Sequence, residues 1–402
     1  MKRELGAFER ALVIADQYAP FHIISVLRVE GAPSPQIVRN ALKVLQSQHP
    51  FLSARLLQEK GRQYFVKLID PGLLLRVLPR WNDAHWVQVV EVEMGLRIDV
   101  LNGPLFRCIY LYDATHERAE IILTFYPAIA DSASIGKFMH DLLKACASFT
   151  DEKTVPVRVT SAAPPVESRF PSPYHGLRLA LHRVRYELRQ ISDEIFYRIQ
   201  TRGKRTPPIH QTSTRGRILS IQLPRDLLEA LLHRTRQEEV SLSSALHAAM
   251  ILAVHRELYA GQPGPMHLLA LINLRPHVEP PLDDEELASY LSMLRQTVQM
   301  VGGIDLWTLA QHLQKKMQSS IRAGDHFVAA EFAESLMQFI TERKSFRLSA
   351  TALNYNEAVT IDAGYGKIKV TAVHGFPPIF DLGPELFAQA HIFNNQLFMD
   401  FA

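Results

Sequence analysis

The same succession of strand and helix patterns occurs twice in this chain, on either side of a linker, and this constrains the fold more than any other feature. The linker begins with a break at 151–172, where prolines are frequent, large apolar residues are few and no period is present, and it ends with a second break at 202–217. A chain of 402 residues is also too long for one compact core. The sequence therefore predicts an α/β fold of two lobes, each a mixed sheet with helices, with a cleft or tunnel between them. The predicted boundaries are 1–150 for the first lobe, 151–217 for a linker and 218–402 for the second lobe.

The elements of each lobe are predicted from the period of their apolar residues. In the first half, the strand patterns are FHIISVLRVEG, FLSARLLQ, QYFVKLID, PLFRCIYLYD and AEIILTFYPA, and the helix patterns are SPQIVRNALKVLQSQHP and HWVQVVEVEMG. In the second half, the strand patterns are GRILSIQLP, MHLLALINLRP, FRLSATALNYNEAVTI, KIKVTAVHGF and NNQLFMDFA, and the helix patterns are RDLLEALLHRTRQEE, SLSSALHAAMILAVHRELY, DLWTLAQHLQKKMQSSIRAG and VAAEFAESLMQFI.

One long amphipathic helix is predicted inside the linker. From Leu177 to Ile199, apolar residues recur at spacings of three and four, as expected on one face of a helix with about 3.6 residues per turn. Arginines lie on its other face, and residues 177–205 hold eight Lys and Arg against three acidic residues. Two interpretations of this arginine-rich helix, 177–202, are open. It is a lobe connector with an ordinary solvated face, or it binds an anionic partner such as a carrier protein, coenzyme A phosphates or an anionic membrane.

The composition excludes several classes of protein. The 44 Lys and Arg nearly balance the 41 Asp and Glu, for a net charge of +3, and this gives no case for nucleic acid binding. The two cysteines, Cys108 and Cys146, are too few for a disulfide framework, so we expect small buried residues in a reducing compartment. No group of His, Cys or Asp has the spacing of metal ligands, so no metal or tightly bound cofactor is expected.

The N-terminal segment does not have the pattern of a signal peptide. Acidic residues interrupt its apolar ones, and no small-residue cleavage site follows. No run in the sequence approaches the roughly 18 apolar residues that a membrane-spanning helix needs. We therefore expect a cytoplasmic protein without a transmembrane segment.

Several segments, in the same order along the chain, resemble the superfamily of condensation domains and chloramphenicol-acetyltransferase-like acyltransferases. QHPFLSARLL resembles the HPxLR element of that superfamily, and NGPLFRCIYL resembles its GPLxR strand. ALINLRPHVEPPL resembles its NLRP strand, and YPAIADSAS stands where it carries the HHxxxDG motif. The first residues, RELGAFERAL, resemble the polyketide-associated branch, which builds waxy diesters.

The resemblance implies a reaction between an acyl thioester and an acceptor. An acyl donor on coenzyme A or on the phosphopantetheine of an acyl carrier protein would enter one face of the cleft, and an alcohol or amine the other. In the superfamily the second histidine of the motif is the general base or a positioning group, and imidazole, which titrates near neutral pH, can take a proton from an attacking hydroxyl. Here the two residues that would carry out the chemistry differ from the motif: Tyr126 stands at the position of the first histidine and Pro127 at that of the second. Pro127 would line the substrate site without taking a proton.

The remaining positions of the motif are partly kept. Asp131 matches its aspartate, which is mainly structural in the superfamily, and Ser132 replaces its glycine. The arginine of HPxLR is Ser53 here, and Arg55 would face the same side of a strand two residues later. We hypothesise that Arg55 forms an ion pair with Asp131, while Asp131 itself remains a candidate catalytic residue.

Five further residues are site candidates, each with a structural alternative. Tyr126 could donate a proton or hydrogen bond, although strand aromatics more often pack in a core and a pKa near 10 makes a poor base. Ser132 and Ser134 could bind substrate, although Ser134 also suits a helix N-cap. Asn354 and Asn356 lie where related acyltransferases place an asparagine facing the cleft, and could donate to a developing oxyanion. A polar pair at a strand edge is the alternative.

A displaced base would have to be another histidine. His247 and His255 lie on an alanine-rich helix and are expected to be structural, and His140 is expected to face its neighbours or solvent. His374 and His391 lie near strands of the second lobe.

Two functions are therefore open. The first is an acyltransferase or cyclase of natural-product or lipid biosynthesis that works on a thioester without the usual histidine. The alternative is a catalytically inactive homologue that binds a ligand or carrier protein.

Overall fold

The chain is described from a computed structural model, which covers residues 1–202, 216–282, 286–343, 346–357, 359–380 and 382–402. The elements of the first half and the linker are β1 (Lys2–Glu4), α1 (Ala7–Tyr18), β2 (Ile23–Glu30), α2 (Pro35–Gln48), β3 (Ala54–Glu59), β4 (Arg62–Lys67), β5 (Leu75–Pro79), α3 (His85–Met94), β6 (Phe106–Asp113), β7 (Arg118–Phe125), α4 (Ser132–Thr150) and α5 (Gly176–Thr201). Those of the second half are β8 (Leu219–Leu223), α6 (Arg225–Gln237), α7 (Leu242–Glu257), β9 (Gly264–Asn273), β10 (Leu291–Met300), α8 (Leu306–Arg322), α9 (Asp325–Glu342), β11 (Thr351–Asn356), β12 (Gly364–Tyr365), β13 (Ile368–Phe376), β14 (Leu386–Phe393) and β15 (Gln396–Phe401).

The strands form two mixed six-stranded sheets, one in each lobe, and the α/β prediction is confirmed. The first sheet has the order β12-β13-β2-β7-β6-β5 and the second has the order β10-β9-β11-β14-β15-β8. A small third sheet, β1-β4-β3, contains the hairpin of β3 and β4, whose strands were both predicted. Cys108 and Cys146 are both buried free thiols, as expected. None of the helices in the described ranges is both long enough and apolar enough to cross a bilayer.

The lobes do not follow chain order completely. Strand β13 comes from the predicted second lobe, but it pairs antiparallel with β2 in the first sheet, with His374 opposite Val26. A boundary at residue 218 therefore divides the chain into two halves, but the two sheets are not divided at the same point. Strand β13, the exchanged strand, attaches the second half of the chain to the first lobe.

Strand β7 brings the chain to the space between the lobes. Seven of its eight residues, from Ala119 to Phe125, are buried, as expected of a central strand covered on both faces. One apolar cluster then includes Phe125 and Tyr126 of the first lobe together with Leu269 and Leu291 of the second. The residues that follow β7 are therefore enclosed by both lobes.

The proline-rich segment between the lobes is held to the first helix by Glu167. The Glu167 carboxylate accepts a hydrogen bond from the backbone N–H of Phe8, in the first turn of α1, at 2.8 Å. Burial is the main cause that raises the pKa of this carboxyl to about 7. The predicted break at 202–217 lies mostly outside the described residues.

Glu167→Gln should stabilise the protein at alkaline pH but not at acidic pH. Because the folded-state pKa is raised, folding takes up a proton, and stability falls as pH rises from the ordinary carboxyl range to about 7. Glutamine keeps an acceptor for Phe8 and removes this loss. We expect a melting temperature higher than that of the parent by roughly 2 °C or more at pH 8 and close to it at pH 5. The exposed Glu342→Gln is the control, and an equal difference at both pH values would contradict the assignment.

Candidate functional site

The turn after β7 is built as a helix start. Asp131 is the N-cap of α4, and its Oδ1 accepts a hydrogen bond from the Ser134 N–H at 2.9 Å. In return the Ser134 hydroxyl accepts from the Asp131 N–H at 3.1 Å. Ser134 is therefore not the N-cap itself but its partner three residues later, and its buried hydroxyl is used within the turn.

The second oxygen of Asp131 joins the turn to the other lobe. Oδ2 lies 2.5 Å from Nη1 of Arg275 and accepts the backbone N–H of Tyr290 at 2.8 Å. Arg275 and Asp131 are both almost completely buried, at 1% and 0% exposure. Arg275 also donates to the carbonyl of Ala288 at 3.2 Å. The pair is thus a hydrogen-bonded link between the end of β7 and the loop that joins β9 to β10.

The predicted pairing of Arg55 with Asp131 is wrong. Arg55 lies on β3 in the small third sheet, and its guanidinium donates to the carbonyl of Leu101 at 3.3 Å. The period of the strand predicted the side on which Arg55 lies, but it did not predict which sheet the strand joins. The sequence did contain a sign of the true partner of Asp131: Arg275 ends the apolar run MHLLALINLR, and a buried arginine needs a buried partner.

Tyr126 and Pro127 lie in apolar surroundings. Tyr126 is 1% exposed, its hydroxyl has no hydrogen-bond partner among the described residues, and burial raises its pKa well above the ordinary value. Pro127 lines a cavity of about 70 Å³ between the lobes, together with Phe8, Leu269 and Phe380. The described residues around this cavity include no ionisable side chain. Where the superfamily motif has its base, this chain has apolar surface.

A polar pocket lies on the other side of the turn. Its volume is about 220 Å³, and it is lined by Ser132, Ala133, Gly136, Asn273, Tyr355, Asn356, Glu357, Val359 and Thr360. Asn354, beside it, donates from Nδ2 to the Ser132 hydroxyl at 3.0 Å. The structure thus brings together three predicted site residues: Ser132, Asn354 and Asn356. Desolvation raises the pKa of Tyr355 to about 12, so this phenol remains a hydrogen-bond donor at neutral pH.

No described histidine lines either the apolar cavity or the polar pocket. His140 contacts the Tyr365 hydroxyl at 2.8 Å, and His255 contacts the carbonyl of Gln262 at 3.0 Å. Burial lowers the pKa of both His247 and His391 to about 4, so both are neutral core residues. Among the described residues, no group of side chains could hold a metal ion.

His374 belongs to a second polar link between the lobes. Its Nδ1 lies 2.9 Å from Oδ1 of Asp400, and the same oxygen accepts from the Ser220 hydroxyl at 2.7 Å. Oδ2 of Asp400 accepts the N–H of Gly375 at 2.9 Å. The link joins β13 of the first sheet to β15 and β8 of the second. Sequence patterns had placed His374 near a strand but gave no sign of Asp400 as its partner.

Comparison with known proteins confirms the resemblance at the level of the fold. A family model described as phthiocerol/phthiodiolone dimycocerosyl transferase C-terminus matches residues 196–351. Polyketide synthase associated protein 5 from Mycobacterium tuberculosis is 15% identical with a TM-score of 0.71, over 99% of this chain and 92% of that one. Trichothecene 15-O-acetyltransferase from Fusarium sporotrichioides is 12% identical with a TM-score of 0.78, over 100% and 90%.

The fold also occurs in peptide synthetases. The starter condensation domain of rhizomide synthetase, solved as a mutant in complex with C8-CoA, is 16% identical with a TM-score of 0.69, over 100% of this chain and 89% of that one. No match is found among curated protein sequences. The chain therefore has the fold of the condensation-domain and chloramphenicol-acetyltransferase-like acyltransferases.

Arg275→Met should destabilise the protein far more than Arg55→Ala. Removing one partner leaves the Asp131 carboxylate buried without its cation, which costs about 3–5 kcal/mol. Arg55→Ala removes hydrogen bonds to two backbone carbonyls at a partly buried position and should change stability by about 0.5 kcal/mol. Urea unfolding of the two variants measures the difference. Equal losses would show that the link between Asp131 and Arg275 does not stabilise the fold as described.

Proposed function

We propose that this protein binds an acyl thioester of coenzyme A or of a carrier-protein phosphopantetheine and promotes acyl transfer or cyclisation without a histidine base. The observation that carries the proposal is the polar pocket beside the motif turn. It offers hydroxyl and amide groups and the exposed carboxylate of Glu357, but no imidazole among its described residues. The hydroxyl and amide groups can bind a carbonyl or the amides of a pantetheine arm, but they do not accept a proton at neutral pH.

Ser132, Asn354 and Asn356 are assigned to binding the thioester. Asn354 holds the Ser132 hydroxyl in place by donating to its oxygen at 3.0 Å, which leaves the Ser132 O–H available to a ligand. Asn356, at the end of the same strand, β11, also lines the pocket. Donors that are positioned before the reaction stabilise the negative charge that develops on a carbonyl oxygen under attack. Asp131 and Ser134 act in this proposal by holding the turn.

The absence of a base at Pro127 restricts the acceptor. An alcohol must lose its proton as it attacks, which is the task of the histidine in the superfamily motif. An amine in its neutral form is already nucleophilic, and a group within the same bound molecule gains from proximity. We therefore propose an amine acceptor or a ring closure, in natural-product or lipid biosynthesis within the cytoplasm. The C8-CoA complex of the rhizomide synthetase domain supports a coenzyme A-linked donor.

A second candidate function is that of a catalytically inactive binding protein. It is favoured by the small cavity at Pro127, whose apolar lining offers no base for an attacking group. Incubation with acyl thioesters and amine or alcohol acceptors, followed by mass spectrometry, separates the two functions. New product favours the enzyme. Thioester binding without product above background favours the binding protein, and no thioester binding contradicts both.

Gly136→Leu should block thioester binding without unfolding the protein. A Cβ at Gly136 would have the backbone nitrogen of Thr360, at 3.9 Å, as its one described neighbour within 4 Å, so the leucine can extend into the polar pocket. Leucine also favours a helix over glycine by up to about 1 kcal/mol. We expect at least a tenfold loss of affinity, measured by calorimetric titration with an acyl-CoA, and an unchanged or higher melting temperature.

The matched control for this substitution is Gly302→Leu. Gly302 is exposed, and a Cβ there would meet nothing within 4 Å among the described residues. It should bind the acyl-CoA as the parent does. If Gly136→Leu also binds normally, the polar pocket is not the thioester site.

Pro127→His should test whether the base alone is missing. A histidine at this position would stand where the superfamily motif has its second histidine, in an apolar cavity that favours the neutral imidazole. If the rest of the site is competent, the variant should gain transfer to alcohols, with a rate that rises with pH as the imidazole loses its proton. Pro127→Gln, which cannot act as a base, is the control. Equal rates for the two variants would show that more than the base is absent.

A further inference from the structure

Helix α5 carries a continuous apolar stripe on its outer side. The α5 stripe consists of Leu177, Leu181, Val184, Leu188, Ile191, Ile195 and Ile199, each between 54% and 77% exposed. In a globular protein the apolar face of a helix normally packs against the core. Among the described residues of α5, Tyr186 alone is buried. The apolar face of this amphipathic helix is therefore exposed to solvent.

Polar contacts with the second lobe fix this orientation. Glu194 of α5 forms an ion pair with Arg295 of β10 at 2.8 Å. Asp193 accepts a hydrogen bond from the Thr297 hydroxyl of β10 at 3.0 Å. Turning the α5 stripe inward would break both contacts and leave buried polar groups of β10 unpaired. The outward stripe is thus a consequence of how α5 is held.

The charged side chains on the outer side of α5 are all arginines. The exposed ones are Arg178, Arg185, Arg189, Arg198 and Arg202. At about 100° per residue, the first three lie beyond one edge of the α5 stripe and Arg198 beyond the other, whereas Arg202 follows the last residue of the helix. Of the acidic residues of α5, Asp193 and Glu194 face β10, and Glu187 is ion-paired with Arg183 of the same helix. No carboxylate of the described chain lies within ion-pair distance of Arg178 or Arg185, so these two charges are available to a partner.

The form of this surface favours a flat partner. The α5 stripe runs about 33 Å from Leu177 to Ile199, at about 1.5 Å per residue. A bilayer can contact a stripe of this length along its whole course, whereas a small acidic carrier protein covers only part of it. Two members of the stripe, Ile191 and Ile195, also line a cavity of about 580 Å³ beside Phe332 and Phe339 of α9. The apolar surface therefore continues past the helix.

We propose that α5 binds the protein to the surface of an anionic lipid bilayer. The α5 stripe enters the boundary between headgroups and acyl chains, and the flanking arginines lie beside the lipid phosphates. Apolar area and attraction to anionic lipid together set the strength of binding by such helices. This surface is separate from the polar pocket, and the proposal goes beyond the thioester function and does not depend on it.

Vesicle sedimentation tests the proposal directly. The full chain is mixed with phosphatidylcholine vesicles that contain about 30% phosphatidylglycerol, or none, at low and high salt. We expect binding to the anionic vesicles that is at least tenfold stronger than to the neutral ones and that weakens at high salt. A triple variant with Leu181→Asn, Leu188→Asn and Ile195→Asn should lose binding at least tenfold. Arg178→Gln with Arg185→Gln should lower the affinity about threefold to tenfold and reduce its salt dependence.

The matched control changes equally exposed apolar residues elsewhere. Val92→Asn, Leu101→Asn and Leu227→Asn replace side chains that are 63%, 61% and 54% exposed outside α5. This variant should bind vesicles as the parent does, and both triple variants should keep the parental melting temperature. Absence of vesicle binding by the parent, or equal binding by the two triple variants, would overturn the proposal. Binding of an acidic carrier protein that the α5 variant loses, without vesicle binding, would assign the surface to a protein instead.

Discussion

The buried ion pair between Asp131 and Arg275 is the interaction on which the rest of this structure depends. Two charges removed from water are stable only when their remaining hydrogen-bonding groups are also satisfied. Here the carboxylate accepts the Arg275 guanidinium, the N–H of Ser134 and the N–H of Tyr290. Because these donors come from both lobes, the pair fixes the turn after β7 and the loop before β10 in one position. The polar pocket and the apolar cavity on either side of the turn are shaped by that position.

A second link closes the same interface. Asp400 of the second sheet accepts hydrogen bonds from Gly375 of the exchanged strand and from Ser220, and it contacts Nδ1 of His374. With the strand pairing of β13 and β2, this leaves little freedom for one lobe to move against the other. Both lobes of the acyltransferase fold are thus present, whereas a proline stands where the resemblance places the second histidine of the motif. This is why we propose function from the polar pocket rather than from the motif as a whole.

Helix α5 shows how polar contacts can override an apolar pattern. Its ion pair with Arg295 and its hydrogen bond with Thr297 hold the polar side against the protein. The apolar side remains in solvent, where it raises the free energy unless another surface covers it. The proposed thioester pocket and the proposed lipid-binding surface of α5 are compatible in one molecule. The two surfaces share no residue that the structure describes, so each can be altered without the other.

The sequence by itself determined the element order, the two-lobe α/β fold and the presence of a proline where the resemblance places a histidine, because these depend on nearby residues and on side-chain chemistry. Proline cannot take a proton in any fold, and the period of α5 is a local property. The tertiary structure decided that Asp131 pairs with Arg275, 144 residues away, and not with Arg55. It also decided that β13 joins the first sheet and that α5 turns its apolar side outward. The period of a strand shows which residues share a face, but not which sheet the strand joins. The period of a helix shows which residues form an apolar stripe, but not whether the stripe faces the core or solvent. The sheet and the orientation depend on contacts between residues far apart in the chain.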